Sequence, residues 1–311
     1  MAFLRGFGKY LPEHEAGNEE LAERLGVTPE WIFGVSGIER RRYASGEETA
    51  ASMAVAAARD CLSKDGVVPA DIGMVIVASG SGDRRFPGPA AAVAYQLGIG
   101  EAVAIDLPMA SAGSLFGLAL AAELARVYRN ILVIGAEKMS AVVLREPLDR
   151  NVAILFGDGA GACLVSAEAG KARIADALVQ SDGAYTEDLR LGFDGPLEMN
   201  GRSVIMQASR KVPRAITALL ARNGLAAEAV EVFLMHQANQ NLLNRIAKGI
   251  GVAGAKFYSN IARYGNTSSA SMLIAAAEWW EASGGPAVDE PVCFAAFGAG
   301  FHWGALLAVG V

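Results

Sequence analysis

The chain has 311 residues, 52% of them hydrophobic and 7% aromatic, and its formal net charge is −6 at pH 7. This length and apolar content allow a large buried core, built as two domains or as a duplicated one. The negative charge argues against general nucleic-acid binding, which requires clustered positive potential.

The cysteines and the chain's hydropathy indicate a compartment. Cys61, Cys163 and Cys293 lack CxxC spacing, which predicts buried thiols in a reducing environment rather than a disulfide framework or a metal site. The first residues lack the basic flank and apolar core of a signal peptide. No stretch approaches the roughly 20 apolar residues of a membrane span. We therefore expect a cytoplasmic protein without a membrane partner.

The first half of the chain alternates predicted strands and helices. Residues 71–79 are an apolar run that ends at Gly80-Ser81-Gly82. Gly157-Asp158-Gly159 predicts a hairpin between two core strands, 152–156 and 161–166. In chain order, we predict a strand over 3–10, helices over 18–25, from 28 onward and over 49–63, a strand over 71–79, a helix over 89–97, a strand over 102–107, a helix over 115–128 and a strand over 130–136.

The second half repeats this plan. Ser268 falls opposite Ser111 at an offset of 157 residues (268 − 111), and helices and strands follow in the same order. The repeat predicts a duplicated βαβ-containing unit in a layered α/β architecture. We place the boundary between residues 1–167 and 168–311, inside a weakly periodic linker over 166–202. This segment is long for a loop in a compact domain, so we expect it to be either functional or partly structured. The predicted elements are helices over 212–222, 241–249 and 272–280 and strands over 231–235 and 292–297.

Three polar residues follow predicted strands and become site candidates together. Ser111 lies in the small-residue turn of residues 106–114, His236 ends a strand, and Asn266 precedes Thr267-Ser268-Ser269. Singly, each has a structural interpretation, as a helix N-cap, a core histidine or a turn residue. Together they lie where α/β proteins form their sites, at the carboxyl ends of strands.

The chain resembles the β-ketoacyl-acyl-carrier-protein synthase III family of the thiolase fold over essentially its whole length. The motifs in the second half, in this order and context, are highly specific. The matching residues are Glu30-Trp31-Ile32 with Gly37-Ile38, Arg85-Phe86-Pro87, the turn and helix start over 106–118, the segment 156–162, His236-Gln237-Ala238-Asn239, Tyr264-Gly265-Asn266-Thr267-Ser268, and Phe297-Gly298-Ala299-Gly300-Phe301 with Trp303-Gly304.

The resemblance implies a five-layered αβαβα fold, a homodimer and a decarboxylative Claisen condensation in fatty-acid or polyketide-type biosynthesis. It also implies acyl-CoA and a malonyl thioester as substrates, with no permanently bound cofactor or metal. His236 and Asn266 would polarise the malonyl carbonyl, and the backbone amides of Ser111 and Ala299 would form the oxyanion hole. For substrate binding it implies Trp31 near the CoA adenine, Arg150 at the tunnel mouth, and Asn239. It also implies that Phe86 reaches the acyl pocket, either of its own chain or of the partner subunit.

The nucleophile is the main departure, because the family uses a cysteine where this chain has Ser111. A hydroxyl needs a base as it attacks, and His236 is the one that we expect. Three explanations remain open: a natural serine variant that forms an oxyester, a cysteine-to-serine engineered protein, and a non-catalytic subunit of a heteromeric synthase. The altered neighbours Pro108-Met109 and Ala112-Gly113-Ser114 favour the natural variant.

Two further points concern the reaction and its partners. Acyl transfer to oxygen, nitrogen or water is the alternative to condensation. Basic residues that the family commonly places near its tunnel mouth for CoA phosphates and the acyl carrier protein are uncharged here, at Val35, Met206 and Asn241. A displaced basic patch is the candidate replacement, drawn from Arg210, Lys211, Arg214, Arg245 and Lys248.

Overall fold

The computed structural model describes residues 1–193 and 195–311. No helix in those ranges is both long and apolar enough to cross a bilayer. The strands are β1 (Phe3–Tyr10), β2 (His14–Gly17), β3 (Arg40–Tyr43), β4 (Met74–Ala78), β5 (Val103–Leu107), β6 (Asn130–Glu137), β7 (Gly159–Ser166), β8 (Ala172–Ser181), β9 (Leu189–Leu191), β10 (Leu197–Met199), β11 (Val232–Met235), β12 (Pro291–Gly298) and β13 (His302–Gly310). The helices are α1 (Asn18–Leu25), α2 (Pro29–Ser36), α3 (Ala50–Asp65), α4 (Pro89–Gln96), α5 (Gly113–Tyr128), α6 (Ser140–Val143), α7 (Arg150–Ala153), α8 (Gly201–Arg222), α9 (Gln240–Gly249), α10 (Ile261–Tyr264) and α11 (Ser271–Ser283).

One nine-stranded sheet carries the fold, in the order β11-β12-β13-β8-β1-β7-β6-β4-β5. In the first half, β5, β4 and β6 are parallel, and β7 and β1 continue the sheet antiparallel. In the second half, β11 and β12 are parallel, and β13 and β8 continue antiparallel. The halves join where β1 pairs with β8. The mirrored order agrees with the repeat that the sequence predicts.

Alternation along the strands builds five layers. In β4, Met74 and Ile76 face a central core with α5 and α11, whereas Val75 and Val77 face an outer core with α3 and α4. The strands of the second half divide in the same way between the central core and an outer core with α8 and α9. Strands buried on both faces read as continuous apolar runs, which is why the sequence predicts them. The α/β, five-layered thiolase-like fold is confirmed.

The predicted hairpin around Gly157-Asp158-Gly159 is wrong. The first of its strands is replaced by helix α7, which Asp149 caps by accepting the Asn151 N–H at 2.8 Å. Phe156 then forms an isolated parallel bridge with Asn266 from the other half. The segment therefore supports the chain around Asn266 instead of pairing with β7.

The predicted linker over 166–202 is partly structured, because it contains β8, β9 and β10. Strand β8 carries charged side chains, and its Asp176 is held by Arg222 at 2.6 Å, so hydrophobic alternation does not reveal it. Residue 194, within the predicted linker, lies outside the described residues. The strand that leads into Ser111, β5, lies at the edge of the sheet.

Candidate active site

Ser111 lies at a sharp turn between β5 and α5. Its φ is +59°, a left-handed conformation that a non-glycine residue adopts at a cost of roughly 1–3 kcal/mol. Gly298 makes room for this turn, because a Cβ there would lie 2.4 Å from the Ala110 carbonyl oxygen and 2.9 Å from Ser111 Cβ. Helix α5 begins without a side-chain cap, so its first amides point their partial positive charge toward the turn.

A second turn of the same kind meets the first. Ser268 has a φ of +49° and begins the 3₁₀ turn Ser268–Ala270 that leads into α11. The Ser111 N–H donates to Ser268 Oγ at 3.0 Å, and the two hydroxyl oxygens are 3.5 Å apart. The residues that the repeat sets 157 positions apart are therefore in direct contact.

Ser268 also fixes the Asn266 side chain. Its N–H donates to Asn266 Oδ1 at 2.8 Å, so the amide nitrogen Nδ2 faces away from that bond. In the described part of the chain, Nδ2 has no acceptor. The backbone of Asn266 is held on both sides, since its N–H donates to the Leu155 carbonyl and its own carbonyl accepts the Gly157 N–H. The structure thus presents a free amide donor on a rigid turn.

His236 follows β11 and is 1% exposed. Its Nδ1 lies 2.6 Å from Ser271 Oγ, and that hydroxyl is 3.0 Å from the Ser268 carbonyl. Burial lowers the pKa of His236 to about 3, and only the nearby Ser268 carbonyl opposes this. The imidazole is therefore neutral at physiological pH. The single proton of Ser271 sets its tautomer, because donation to Nδ1 places the ring proton on Nε2, and donation to Ser268 leaves Nε2 bare.

These contacts bring the three predicted residues together around one residue. The Ser268 hydroxyl touches Ser111, its N–H holds Asn266, and its carbonyl reaches His236 through Ser271. A hydroxyl beside a neutral imidazole and a free amide donor can hold an acyl group and polarise a carbonyl. Sequence reasoning placed Ser268 only as the counterpart of Ser111, and its central position was missed.

A buried carboxylate behind Ser268 was missed as well. Glu137, at the end of β6, is 0% exposed. It accepts the Ser268 hydroxyl at 2.9 Å and the backbone N–H groups of Gly80, Ser81 and Ser269. The Ser79 and Ser81 hydroxyls complete the shell. The signal was available, since an acidic residue ends a buried parallel strand next to the Gly80-Ser81-Gly82 turn. In the described ranges, no cluster of His, Cys, Asp and Glu is arranged to hold a metal ion.

The predicted oxyanion hole is only half available in this structure. The Ala299 N–H has no acceptor in the described ranges, as expected for a free donor. The Ser111 N–H is instead occupied by Ser268 Oγ. Two free donors are therefore not preformed, and the Ser268 hydroxyl would have to yield the second one.

Of the four residues predicted to bind substrate, two lie together and the other two lie elsewhere. The Arg150 guanidinium lies 5.8 Å from the centre of the Trp31 ring, so these two side chains form one surface feature. Asn239 is used structurally, because its oxygen caps α9 and its Nδ2 donates to the Val35 carbonyl at 2.8 Å. Phe86 is 85% exposed and lies outside the site of its own chain.

A basic cleft lies between α8 and α9. Arg202, Arg210 and Arg245 line it, and its volume is about 750 Å³. Lys211, a candidate for the displaced patch, is not part of it, because it pairs with Asp182 at 2.6 Å over the Trp303 ring. The positive charge of the cleft therefore comes from arginines, and Lys211 instead packs against Trp303 in the second half of the chain.

Two family models match the chain, 3-oxoacyl-[acyl-carrier-protein] synthase III over residues 105–183 and its C-terminal part over residues 220–309. The β-ketoacyl-[acyl-carrier-protein] synthase III of Nostoc sp. is 35% identical, covering 98% of this chain and 96% of that protein. The 3-oxoacyl-[acyl-carrier-protein] synthase III of Aquifex aeolicus superposes with a TM-score of 0.93 at 33% identity, covering 99% of this chain and 100% of that one. The priming β-ketosynthase of the R1128 polyketide pathway follows with a TM-score of 0.91 at 31% identity, covering 100% of this chain and 96% of that one. The resemblance that the motifs indicate is confirmed, and this chain belongs to the 3-oxoacyl-[acyl-carrier-protein] synthase III family of thiolase-fold condensing enzymes.

Proposed function

We propose that this protein takes an acyl group from acyl-CoA onto Ser111 and condenses it with a malonyl thioester in fatty-acid or polyketide-type biosynthesis. The observation that carries the proposal is the convergence of Ser111, His236 and Asn266 on Ser268. Family membership supports the condensing chemistry. The altered residues around Ser111 support a natural serine variant that forms an oxyester.

Condensation uses the Asn266 and His236 side chains. Asn266 Nδ2 and His236 Nε2 would both donate to the malonyl carbonyl oxygen while carbon dioxide leaves, which stabilises the enolate that develops. This requires the tautomer in which Ser271 donates to His236 Nδ1. The enolate carbon then attacks the acyl carbon on Ser111. The ester carbon–oxygen bond breaks as the new carbon–carbon bond forms, and the departing Ser111 oxygen takes up a proton from solvent.

Acylation requires that the Ser111 hydroxyl lose its proton. His236 is the base that the sequence predicts, and its role depends on how it is placed relative to the Ser111 hydroxyl. In the described part of the chain, no hydrogen bond joins His236 to Ser111, and the hydroxyl faces Ser268 instead.

Substrate binding is proposed at the features around the site mouth. Trp31 and Arg150 would hold the CoA adenine between a ring and a guanidinium. Ala299 N–H would bind the oxyanion, and the Ser111 N–H would join it in the condensation step, once Ser268 turns away. The arginine cleft of Arg202, Arg210 and Arg245 would take the phosphate of CoA or the acidic surface of an acyl carrier protein.

The test is a survey of short acyl-CoAs by intact mass. Wild-type protein should gain one acyl mass that maps to Ser111, and Ser111→Ala should gain none. An absence of adduct with every acyl-CoA tried would overturn the oxyester and favour a non-catalytic subunit.

Products then separate condensation from simple transfer. Acylated enzyme given malonyl-CoA should yield a 3-oxoacyl product, and His236→Ala should stop carbon dioxide release while Ser111→Ala continues it. An ester, amide or free acid without a new carbon–carbon bond would contradict condensation and establish an acyltransferase or hydrolase.

A further inference from the structure

A continuous line of hydroxyls leads from Ser111 to a buried carboxylate. Ser111 Oγ lies 3.5 Å from Ser268 Oγ, and Ser268 Oγ donates to Glu137 Oε1 at 2.9 Å. All three residues are buried, with Ser268 1% and Glu137 0% exposed. His236 is not part of this line, because it is linked through Ser271 to the Ser268 carbonyl and not to the Ser268 hydroxyl.

The donors around Glu137 determine which way the hydrogen bonds along this line point. The backbone N–H groups of Gly80, Ser81 and Ser269 can only donate, and all three point at Glu137, as expected for an ionised carboxylate. An ionised carboxylate only accepts, so the single Ser268 proton is committed to Glu137. In the 3.5 Å contact between the two serine hydroxyls, Ser111 must then be the donor.

We propose that Ser268 and Glu137 carry the proton of Ser111 during acylation, in place of His236. This inference rests on the proposed function, since it requires acyl transfer to Ser111. As the Ser111 Oγ–carbon bond forms at the thioester carbonyl, the Ser111 proton moves to Ser268 Oγ and the Ser268 proton moves to Glu137. When the carbon–sulfur bond breaks, the proton returns through Ser268 to the departing thiolate, which leaves an ester on Ser111, a free thiol and an ionised Glu137.

The relay also gives a reason why the Ser111 N–H is occupied by Ser268 Oγ instead of being free for an oxyanion. Ser268 Oγ accepts both the Ser111 N–H and, in this arrangement, the Ser111 hydroxyl. A contact of 3.5 Å is long for transfer, and such contacts commonly tighten when substrate binds. Ser268 is thus the residue that touches the reacting oxygen, and Glu137 acts through it as a positioning residue.

The test compares serine and cysteine nucleophiles. A thiol at a helix N-terminus ionises near neutral pH without a base, so Ser111→Cys should not need the relay. In the serine enzyme, Ser268→Ala and Glu137→Gln should each slow acyl-CoA adduct formation by about 100-fold or more, whereas in the Ser111→Cys background they should cost less than about fivefold.

Ser81→Ala is the matched control. Ser81 donates to the other oxygen of the same carboxylate but is not on the line to Ser111. It should slow acylation by no more than about threefold, because general acid–base catalysis depends on the group in the proton path.

Four outcomes are decisive. Equal losses in the serine and cysteine backgrounds, or a loss in Ser81→Ala as large as in Ser268→Ala, would make the network structural and overturn the relay. Full acylation by both Ser268→Ala and Glu137→Gln would overturn it as well. No adduct on wild type, with an adduct on Ser111→Cys, would instead overturn the oxyester on which the relay rests.

Discussion

His236 shows how burial alone can hold a titratable group in one charge state. The ring is enclosed by β11, Ser271 and Phe297, whose ring meets it edge-on with centroids 5.4 Å apart. No carboxylate touches the imidazole in the described ranges, so nothing compensates for a positive charge there. Neutral imidazole is the form that can donate from Nε2 to a carbonyl without carrying an extra charge into the core.

This burial predicts a pH dependence of stability. The pKa of His236 is about 3 in the folded protein and 6.5 in an unfolded chain. Between these values the unfolded state binds one more proton, so the stability contributed by neutral His236 is complete above pH 6.5 and is lost as the pH falls. We expect the free energy of unfolding to fall by up to about 1.4 kcal/mol per pH unit from this residue.

Urea unfolding between pH 4 and 7 checks this. His236→Gln should lower the slope by about one proton, whatever its effect on absolute stability. His14→Gln, which changes an exposed histidine outside the site, should keep the wild-type slope. An unchanged slope in His236→Gln would contradict the burial argument.

At the residue scale, the sequence predicts which residues form the site better than it predicts their contacts. Ser111, His236 and Asn266 could be predicted because each follows a strand in a specific motif. Glu137 also carries a signal, as the acidic end of a buried strand, but its contacts could not be predicted, since its partners come from two separate segments, residues 79–81 and 268–269. Nor could the occupation of the Ser111 N–H by Ser268, which depends on how closely the two halves approach.

At the scale of elements, glycines in two strands allow the close approach of the two serine turns. Gly298 of β12 faces the turn at Ser111, and a Cβ on Gly135 of β6 would lie 2.3 Å from the Ser269 carbonyl oxygen. Each half thus supplies a glycine against the turn of the other. The nearest atoms are backbone, so a side chain could be accepted only if a turn moved.

Gly298→Ala should therefore act on catalysis more than on folding. We expect Ser111 acylation to fall by about tenfold to 100-fold, because displacing reacting groups by an ångström costs that much, with a stability loss of about 1–3 kcal/mol. Adduct formation and urea unfolding measure the two effects.

Gly100→Ala is the control for that experiment. A Cβ there meets no described atom within 4 Å, so stability should stay within about 0.5 kcal/mol and acylation should be unchanged. If Gly298→Ala acylates like wild type, the packing of β12 does not set the turn.

Elements were predictable where burial imposes a pattern. Strands β4 and β12 are apolar throughout, and β6 is apolar between Asn130 and Glu137, because both faces are covered; α3 begins at the Thr49–Ser52 capping box. Strand β8 was missed because charged and half-exposed residues interrupt it. The segment 152–156 was read as a strand from its apolar content, although the Asp149 cap makes its first turn helical.

For the whole molecule, the open edge at β5 points to self-association. Val103 and Ile105 are 37% and 38% exposed on this edge strand, and Tyr95 and Phe86 nearby are each 85% exposed. An apolar edge strand with free backbone groups is a surface that proteins usually cover. We propose that β5 pairs with β5 of a second copy, which would carry Phe86 toward the partner subunit's site.

Sedimentation tests this homodimer. Wild-type protein should sediment as a dimer at micromolar concentration, and Ile105→Lys should shift it toward monomer, because a charge at the centre of the edge opposes its burial. Val288→Lys, at a 72% exposed apolar residue away from this edge, should remain dimeric. A wild-type monomer, or two variants that behave alike, would contradict the proposed interface.

The division at residues 167 and 168 stays a prediction, and the contact between the two serine turns gives the repeat a meaning of its own. A chain made of two like units could have carried two nucleophiles, one on each turn. With the hydroxyl oxygens 3.5 Å apart, an ester on one fills the space that an ester on the other would need. On the proposed function, the stoichiometry would then be one acyl group per chain. Ser111 would bear the substrate, and Ser268, its counterpart, would serve the reaction instead of bearing a second acyl group.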